Sequence, residues 1–529
     1  MKLKDTLIKF ILNQKYWGIY LAIFFIVIRL PYLGFSNFNT DSFKWKARIY
    51  DFGSGVFNLN FEQTVQKYHP GVTLLWIGTA SVKVYNFTYS SILQKTPQSD
   101  SAEFLFSLNF YQILFVVLAL AFLINKSYKY LSEILGKTKS LLILAIVAVD
   151  PFFLALTTTL HLDGLLNLLL LNTLLTLYLY IDGKGYKYLY LSGIYFGLSL
   201  LTKTTAILFL PVIFIAIIFK YLNTKEVSHF IKFGYFLLIT FLTYFILWPG
   251  MWVDPIGTLT YVLKGVTVGT DDHSQIYFGN LVNDPGPFYY LIVCLIKTPI
   301  YIFPGLLLAA YRQFGTTYKK YTFELFLFLS SILYLIEITI PSKKLDRYAL
   351  TFILLISISI ISYAYDYSKK LAYSFLILNL FFVFYLRFDF FSYYSPLSGG
   401  ISNGIKWVEP KWAFGQKEIA EYFSNEININ KLDYFGNGEN ISKISERNKK
   451  LVVALPEKYY TQLYPYFKLI GGWAVINEIN PEARKANYFI FPVWEDNSVE
   501  FISRYKLSYY GEIKVRDVAI FKVFKRNDK

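Results

Sequence analysis

The sequence predicts a polytopic α-helical membrane protein with a small α/β domain at its C-terminal end. Three observations predict it. The chain has 529 residues, of which 55% are hydrophobic, and its mean hydropathy is +0.39, well above the balance of a soluble protein. Roughly the first 390 residues hold repeated apolar runs of about 17 to 25 residues, each long enough to cross a hydrocarbon core about 30 Å thick. Beyond residue 400 the apolar runs stop and short β-branched and aromatic stretches replace them.

Taken in order, Met1 to Lys15 is polar and rich in lysine. The run Trp17 to Leu33 follows with no small-residue cleavage site after it, so it reads as a retained first span. About eleven spans are expected: 17–33, 108–124, 140–157, 164–181, 188–201, 205–219, 231–249, 287–311, 322–340, 346–365 and 371–387. A long loop, about 35–107, separates the first two.

The net charge of +16 does not point to nucleic acid, because much of it lies in short loops between apolar runs. Lys126, Lys129, Lys137 and Lys139 form one such group, followed by Lys184 and Lys187, then Lys220, Lys225 and Lys232. Arg312, Lys319 and Lys320, and finally Lys369 and Lys370, complete the series. With the N-terminal lysines, this alternation puts the N-terminus in the cytoplasm of a cell-membrane protein.

The stretch from Tyr188 to Phe219 would be about 48 Å long as one helix, too long for a single span. Thr202-Lys203-Thr204-Thr205 interrupts it, and splitting it there keeps the basic loops on one side. An odd number of spans then places the C-terminal domain outside, on the side of the first long loop. In that domain Gln416–Ile427 reads as helix, and Leu451–Leu455, Asn487–Val493 and Glu512–Phe524 as strand. The expected division is 1–400 for the membrane domain and 401–529 for the external domain, joined through the turn-rich Ser395-Pro396-Leu397-Ser398-Gly399-Gly400. The lone Cys294 lies in an apolar run, which excludes a disulfide framework and a cysteine metal site.

The groups able to do chemistry collect at the outer ends of the spans. Asp41 and His69 lie in the first loop, and His161 and Asp163 at the start of the fourth span. Lys203 lies in the break, and Trp252 and Asp254 follow the seventh span. Asp271, Asp272 and His273 come next; three adjacent side chains rarely converge on one ion. Lys343, Lys344, Asp346 and Arg347 open the tenth span. A carboxylate able to take a hydroxyl proton, beside cations able to hold a phosphate, suits transfer from a lipid-phosphate substrate. Arginine grips phosphate with two parallel hydrogen bonds, whereas lysine acts as a point charge. Each residue also has a plainer reading. Asp41, His161 and Asp163 can cap helices, the lysines can snorkel, Arg347 can pair with Asp346, and Trp248 and Trp252 can belong to an interfacial aromatic belt.

The order of these stretches resembles the membrane glycosyltransferases of the protein-O-mannosyltransferase and aminoarabinose-transferase type, glycosyltransferase family 39, of the GT-C fold. The phospholipid-carrier-dependent members are the most similar. The resemblance rests on Thr40-Asp41 with Trp45 and Arg48, on His69-Pro70-Gly71-Val72-Thr73 with Trp76 and Gly78, and on His161-Leu162-Asp163. It continues through Gly197 to Thr204, Trp248 to Pro255, Tyr277-Phe278-Gly279, Asp284-Pro285-Gly286, Lys343 to Tyr348 and Tyr393 to Leu397.

The resemblance implies a polyprenyl-phosphate-sugar donor and an inverting transfer at the external face to a protein, lipid or glycan hydroxyl. It implies Asp41 as the base or acceptor-positioning acid. Where the family usually has a second acid, this chain has Ser42, which leaves Asp163 to supply the second carboxylate. Lys203, Lys344 and Arg347 are implied as donor-phosphate contacts, and His69, His161, Lys343, Trp252 and Asp254 join the substrate-facing set. Some relatives need a divalent cation such as Mg or Mn, and this sequence leaves that open. The rival readings are a lipid-linked sugar transporter or flippase, a scaffold that binds lipid-sugar without turnover, and a transferase of oligosaccharide or phosphoryl groups. Few charges lie in mid-span and no repeat is evident, against what a transporter requires.

Overall fold

A computed structural model describes residues 13–35, 38–268, 274–314, 322–426, 451–477, 483–495 and 498–527. In an apolar medium each backbone N–H and C=O must be satisfied within its own segment, so the greasy runs fold as helices. Each of the eleven expected spans is a helix or a bent pair of helices. The third bends by 69° between Lys137–Ala148 and Pro151–Thr157. There Asp150 caps the second piece by accepting the Phe153 amide at 2.9 Å, and Pro151 occupies the first turn. The eighth bends by 110° between Tyr289–Lys297 and Ile302–Arg312.

Five helices are long and apolar enough to cross a membrane, or seven if each bent pair is one crossing, among the described residues. The expected count was about eleven. The difference lies in short helices: Tyr186–Thr202, Phe323–Thr339 and Lys369–Tyr385 have 17 residues each, a rise of about 25 Å, and Trp17–Arg29 has 13.

Burial separates centre from rim. In Asp163–Ile181 and Asp346–Tyr367, 89% and 83% of the apolar window is buried, against 11% in Ser228–Leu247. The first two are therefore the central helices, and the third presents its side chains to lipid. The central helices begin at one end of the bundle, with Asp163 and Arg347 in their first turns.

The long loop after the first span is itself helical, with Thr40–Phe57 packed against Val72–Phe87. Two glycines allow this. A β-carbon at Gly78 would stand 2.3 Å from Ile49, and one at Gly71 would stand 2.4 Å from the Trp45 ring. Gly71 also has φ +65°, a conformation that glycine adopts without steric cost.

A small hairpin, β1 (Gln275–Tyr277) with β2 (Asn280–Val282), follows the seventh span. The C-terminal domain holds β3 (Val452–Leu455), β4 (Trp473–Ile476), β5 (Tyr488–Pro492), β6 (Leu507–Val515) and β7 (Val518–Arg526). Their order is β4-β3-β5-β7-β6. β3 runs parallel to β4 and β5, and β7 runs antiparallel to β5 and β6. The helix Glu457–Leu469 makes the crossover from β3 to β4. At the β6–β7 turn Arg516 and Asp517 both have positive φ, the twist a two-residue hairpin turn requires.

This domain docks on the first loop. Phe35, Phe38 and Phe106 pack with Ala420, Tyr466 and Leu469 in one cluster, and Gln416 donates to the Phe38 carbonyl at 2.8 Å. First loop and C-terminal domain thus share one end of the helical bundle. Residues 401–415 tie the two parts together: the Phe278 amide donates to the Trp407 carbonyl and the Glu409 amide to the Ile276 carbonyl.

Candidate active site

The site begins with a helix cap. Asn39 accepts the Ser42 amide at 2.8 Å, and the Asn39 amide donates to the Ser42 hydroxyl at 3.2 Å. This is a reciprocal capping box. It sets Asp41 in the first turn of Thr40–Phe57, where the helix dipole favours an anion. Ser42 is fully buried. It therefore offers a substrate nothing, and its job is to hold the turn that aims Asp41.

From Asp41 an ion network runs inward. The His161 ring stands between two acids, with Nε2 3.5 Å from Asp41 Oδ2 and Nδ1 3.0 Å from Asp163 Oδ2. Lys203 Nζ lies 2.7 Å from Asp163 Oδ1. Arg347 reaches both carboxylates, with Nη2 3.3 Å from Asp41 Oδ2 and Nε 3.4 Å from Asp163 Oδ2. An unpaired carboxylate would be costly to bury, and Lys203 and Arg347 balance the two acids.

The network is assembled by irregular backbone. Lys203 is extended (φ −157°, ψ 134°) between the helix Tyr186–Thr202 and the 3-10 turn Thr204–Phe209. The Thr202 carbonyl accepts the Gly71 amide, which pins the first loop to this break.

The two acids differ in access. The Asp163 side chain is 3% exposed and that of Asp41 is 25% exposed. Burial alone would raise the pKa of Asp41. The His161 hydrogen bond and the positive charges of Arg347, His161 and Lys44 outweigh it and hold the carboxyl well below the usual range. Asp41 is thus a partly exposed carboxylate held in its ionised form, and Asp163 is sealed behind it.

A groove of about 590 Å³ lies beside the network. Its walls are apolar, among them Leu200, Ile207, Phe241, Leu259, Val262 and Ile338. Polar groups (Tyr68, His69, Thr204, Lys343 and Tyr348) are also part of its lining. His69 Nδ1 is 2.6 Å from the Thr204 hydroxyl. Burial, reinforced by Lys203, pushes its pKa well down, so the ring is neutral. Burial and the Arg347 charge lower the Lys343 pKa. Lys203 sits 4.3 Å over the Tyr348 ring, which links groove and network.

Asp41, Asp163, His161, Lys203 and Arg347 are therefore brought together, and His69 and Lys343 line the adjoining groove. Other expected site residues lie elsewhere. Lys344 is buried on Asp284 at 2.7 Å and donates to the Pro341 carbonyl, so its charge is already spent. Trp252 donates to the Phe245 carbonyl and packs on Phe61. Asp254 accepts the Gly257 amide and starts the helix Pro255–Val268. Neither contacts the network. Asp271, Asp272 and His273 lie outside the described residues. Arg347 does not pair with Asp346; it bridges the two acids.

Sequence reasoning missed Trp412. Its ring lies edge-on to His161 at 4.9 Å and under the Arg347 guanidinium at 4.9 Å. It comes from the connection to the C-terminal domain, and no local signal in Lys411-Trp412-Ala413 marks it. For a divalent cation, no group of three or more His, Cys, Asp or Glu side chains suited to hold one occurs among the described residues.

Residues 103–248 match the family model of dolichyl-phosphate-mannose-protein mannosyltransferase, a segment that contains His161, Asp163 and Lys203. No curated protein matches the chain. Among solved structures, ArnT from Cupriavidus metallidurans in the apo state superposes with a TM-score of 0.51 at 9% identity, covering 96% of this chain and 98% of that one. ArnT bound to undecaprenyl phosphate gives 0.48 at 10%, covering 96% and 97%. The Archaeoglobus fulgidus oligosaccharyltransferase tethered with an acceptor peptide gives 0.42 at 12%, covering 96% and 74%. Helical bundle, first-loop helices and C-terminal sheet domain together make this chain a membrane protein of the GT-C fold, similar over residues 103–248 to the dolichyl-phosphate-mannose-protein mannosyltransferase family.

Proposed function

We propose that the protein is a membrane glycosyltransferase that moves a sugar from a polyprenyl-phosphate donor to an acceptor hydroxyl with inversion. We place the reaction at the face shared by the first loop and the C-terminal domain, and take that face as extracytoplasmic from the basic loops at the opposite span ends. The observation that carries the reading is one ionised, reachable carboxylate, Asp41, held by His161 and Arg347 beside an apolar groove with Lys343, Tyr68 and His69 in its lining.

In this reading the prenyl tail occupies the groove, and the donor phosphate lies by Lys343. The acceptor oxygen attacks the anomeric carbon from the side opposite the phosphate. The carbon–phosphate-oxygen bond breaks, and the phosphate leaves with one added negative charge. Lys343 and Arg347 stabilise that charge, while Asp41 orients the hydroxyl and receives its proton. A carboxylate held so far below its usual pKa is a weak base. A donor phosphate near Arg347 would draw on the same guanidinium, loosen its hold on Asp41 and raise its basicity, so the base strengthens when the donor is present.

The test is sugar release from a panel of polyprenyl-phosphate sugars by purified protein, beside Asp41→Asn. Turnover by the wild type, lost in the variant while donor still binds, is the expected result. Donor binding without turnover in the wild type across a broad acceptor set would replace this reading with a lipid-sugar-binding scaffold. Absence of donor binding would remove the lipid-phosphate donor altogether.

A further inference from the structure

One helix of the C-terminal domain has two tasks. Glu457–Leu469 carries Tyr466 and Leu469 into the cluster that docks the domain on the first loop. One to two turns earlier the same helix grips residues 409–413. The Tyr459 hydroxyl donates to the Pro410 carbonyl at 2.9 Å, and Gln462 accepts the Ala413 amide at 2.7 Å. Lys458 pairs with Glu409 at 2.6 Å. Tyr459 and Gln462 are fully buried, and the Tyr459 hydroxyl accepts the Trp494 indole N–H at 3.0 Å. The connection between membrane domain and sheet is therefore fastened on both sides of Trp412.

Held this way, the Trp412 ring meets the ion network. Its centroid lies 4.9 Å from the His161 ring and 4.9 Å from the Arg347 guanidinium, inside the roughly 6 Å over which a ring face attracts a cation. Phe391 backs the indole edge-on at 5.5 Å.

Arg347 has little else to fix its orientation. Among the described residues only Nη2 of its guanidinium makes a hydrogen bond, to Asp41 at 3.3 Å, while Nε and Nη1 are buried with none. A charge-assisted bond is ordinarily about 2.7–2.9 Å long. One long bond sets neither the plane nor the tilt of a planar cation. A ring face sets both, and the contact with the imidazole steadies the second group that holds Asp41.

We propose that Trp412 is a positioning residue: the docked C-terminal domain seats its ring against Arg347 and His161 and thereby sets the geometry around Asp41. The ionic groups come from the first loop and the membrane domain, yet the site is complete only with the sheet domain docked. The effect on turnover rests on the transferase reading; the clamp on Arg347 does not. Trp412 is not part of the lining of the apolar groove, so donor affinity and turnover separate.

The experiment uses the full-length protein in lipid nanodiscs, with undecaprenyl phosphate as the binding probe and turnover of a polyprenyl-phosphate sugar that the wild type accepts. Trp412→Leu removes the ring face. It is expected to lower kcat about tenfold and to hold the Kd for undecaprenyl phosphate within about twofold. Trp412→Phe restores a ring and is expected to recover most of the loss. Gln462→Met, outside the site, frees the Ala413 amide; it is expected to lower kcat several-fold in the wild type and not at all in Trp412→Leu. Tyr459→Phe takes its place if that variant does not fold. The clamp is also read without turnover. Trp412→Leu is expected to lower Tm, and by less in an Arg347→Lys background, because lysine offers no planar fork to stack. Equal Tm drops in the two backgrounds would overturn the clamp. Unchanged kcat in Trp412→Leu, the same loss in the Leu and Phe variants, or a Gln462→Met loss that persists in Trp412→Leu would overturn the positioning role. A wild type that never turns over, with the Tm coupling present, would sink the transferase reading and its turnover effect while the clamp on Arg347 stands.

Discussion

Two ion networks sit at opposite ends of the tenth span, and they are built to different ends. At one end Lys139 Nζ lies 2.8 Å from Asp366 and 3.5 Å from Glu324, and the Ser362 hydroxyl donates to Glu324 at 2.5 Å. Lys139 opens the third span, Glu324 opens the ninth and Asp366 closes the tenth, so the cluster pins three helix ends together. At the other end Asp41, His161, Asp163, Lys203 and Arg347 also join several segments, yet Arg347 keeps an unmet N–H, and two cavities adjoin the network. A network that only holds helices together spends its hydrogen bonds on itself. A network meant for a ligand leaves donors uncommitted and accepts the cost in stability.

The sharpest way to break this contrast is to disable each end. Asp41→Asn, which keeps the shape of the side chain, is expected to lower kcat by about 10³-fold with donor binding retained, whereas Lys139→Met leaves kcat of the folded protein unchanged. An equal loss of kcat in both variants would erase the distinction. Next in size are the two lysines themselves. Lys203→Met and Lys139→Met each strand a buried carboxylate, Asp163 or Glu324, and each is expected to cost about 3–5 kcal/mol, read as a lower Tm. Only the Lys203 variant should also lose turnover per folded molecule.

Ser42→Ala tests whether the cap serves the site. It removes one half of the capping box and is expected to cost about 1 kcal/mol with a several-fold fall in kcat, because Asp41 is aimed by that turn. A fall in Tm with kcat intact would limit Ser42 to stability.

The smallest effect is in pH dependence. The folded pKa of Asp41 lies below its ordinary value of about 3.9, so its share of the stability is full above that pH and is lost as pH falls towards the folded value. Between pH 7 and 5 Asp41 therefore gives no acid limb to kcat/KM in the donor-free enzyme. The folded pKa of His69 also lies below its ordinary value. As pH falls below about 6.5 the unfolded chain takes up a proton that the folded one does not, and stability declines. Tm measured against pH should fall in that window, and His69→Asn should flatten the slope.

Much of the architecture was legible in the chain because apolar length and loop charge are local quantities. The eleven apolar segments, the break at Thr202-Lys203 and the strands after residue 450 all follow from them. Asp41, His161, Asp163, Lys203 and Arg347 were legible as candidate site residues because each stands at the end of an apolar run, where an ion needs a reason to be. The same reasoning misplaced the charge of Lys344, since nothing local to Lys343-Lys344 tells which of the two turns to Asp284. It also added Trp252 and Asp254, whose types suit a site but whose side chains serve a helix end and an aromatic contact.

Composition and spacing alone settle that this chain is a helical membrane protein with a sheet-bearing tail, because backbone polar groups in hydrocarbon admit few solutions and those solutions have fixed lengths. Which acid is open and which is sealed, that Ser42 closes a cap, and that Trp412 from the far end of the chain covers Arg347 are matters of packing between segments hundreds of residues apart. They depend on distances of a few ångströms that no local pattern encodes, and only the folded chain decides them.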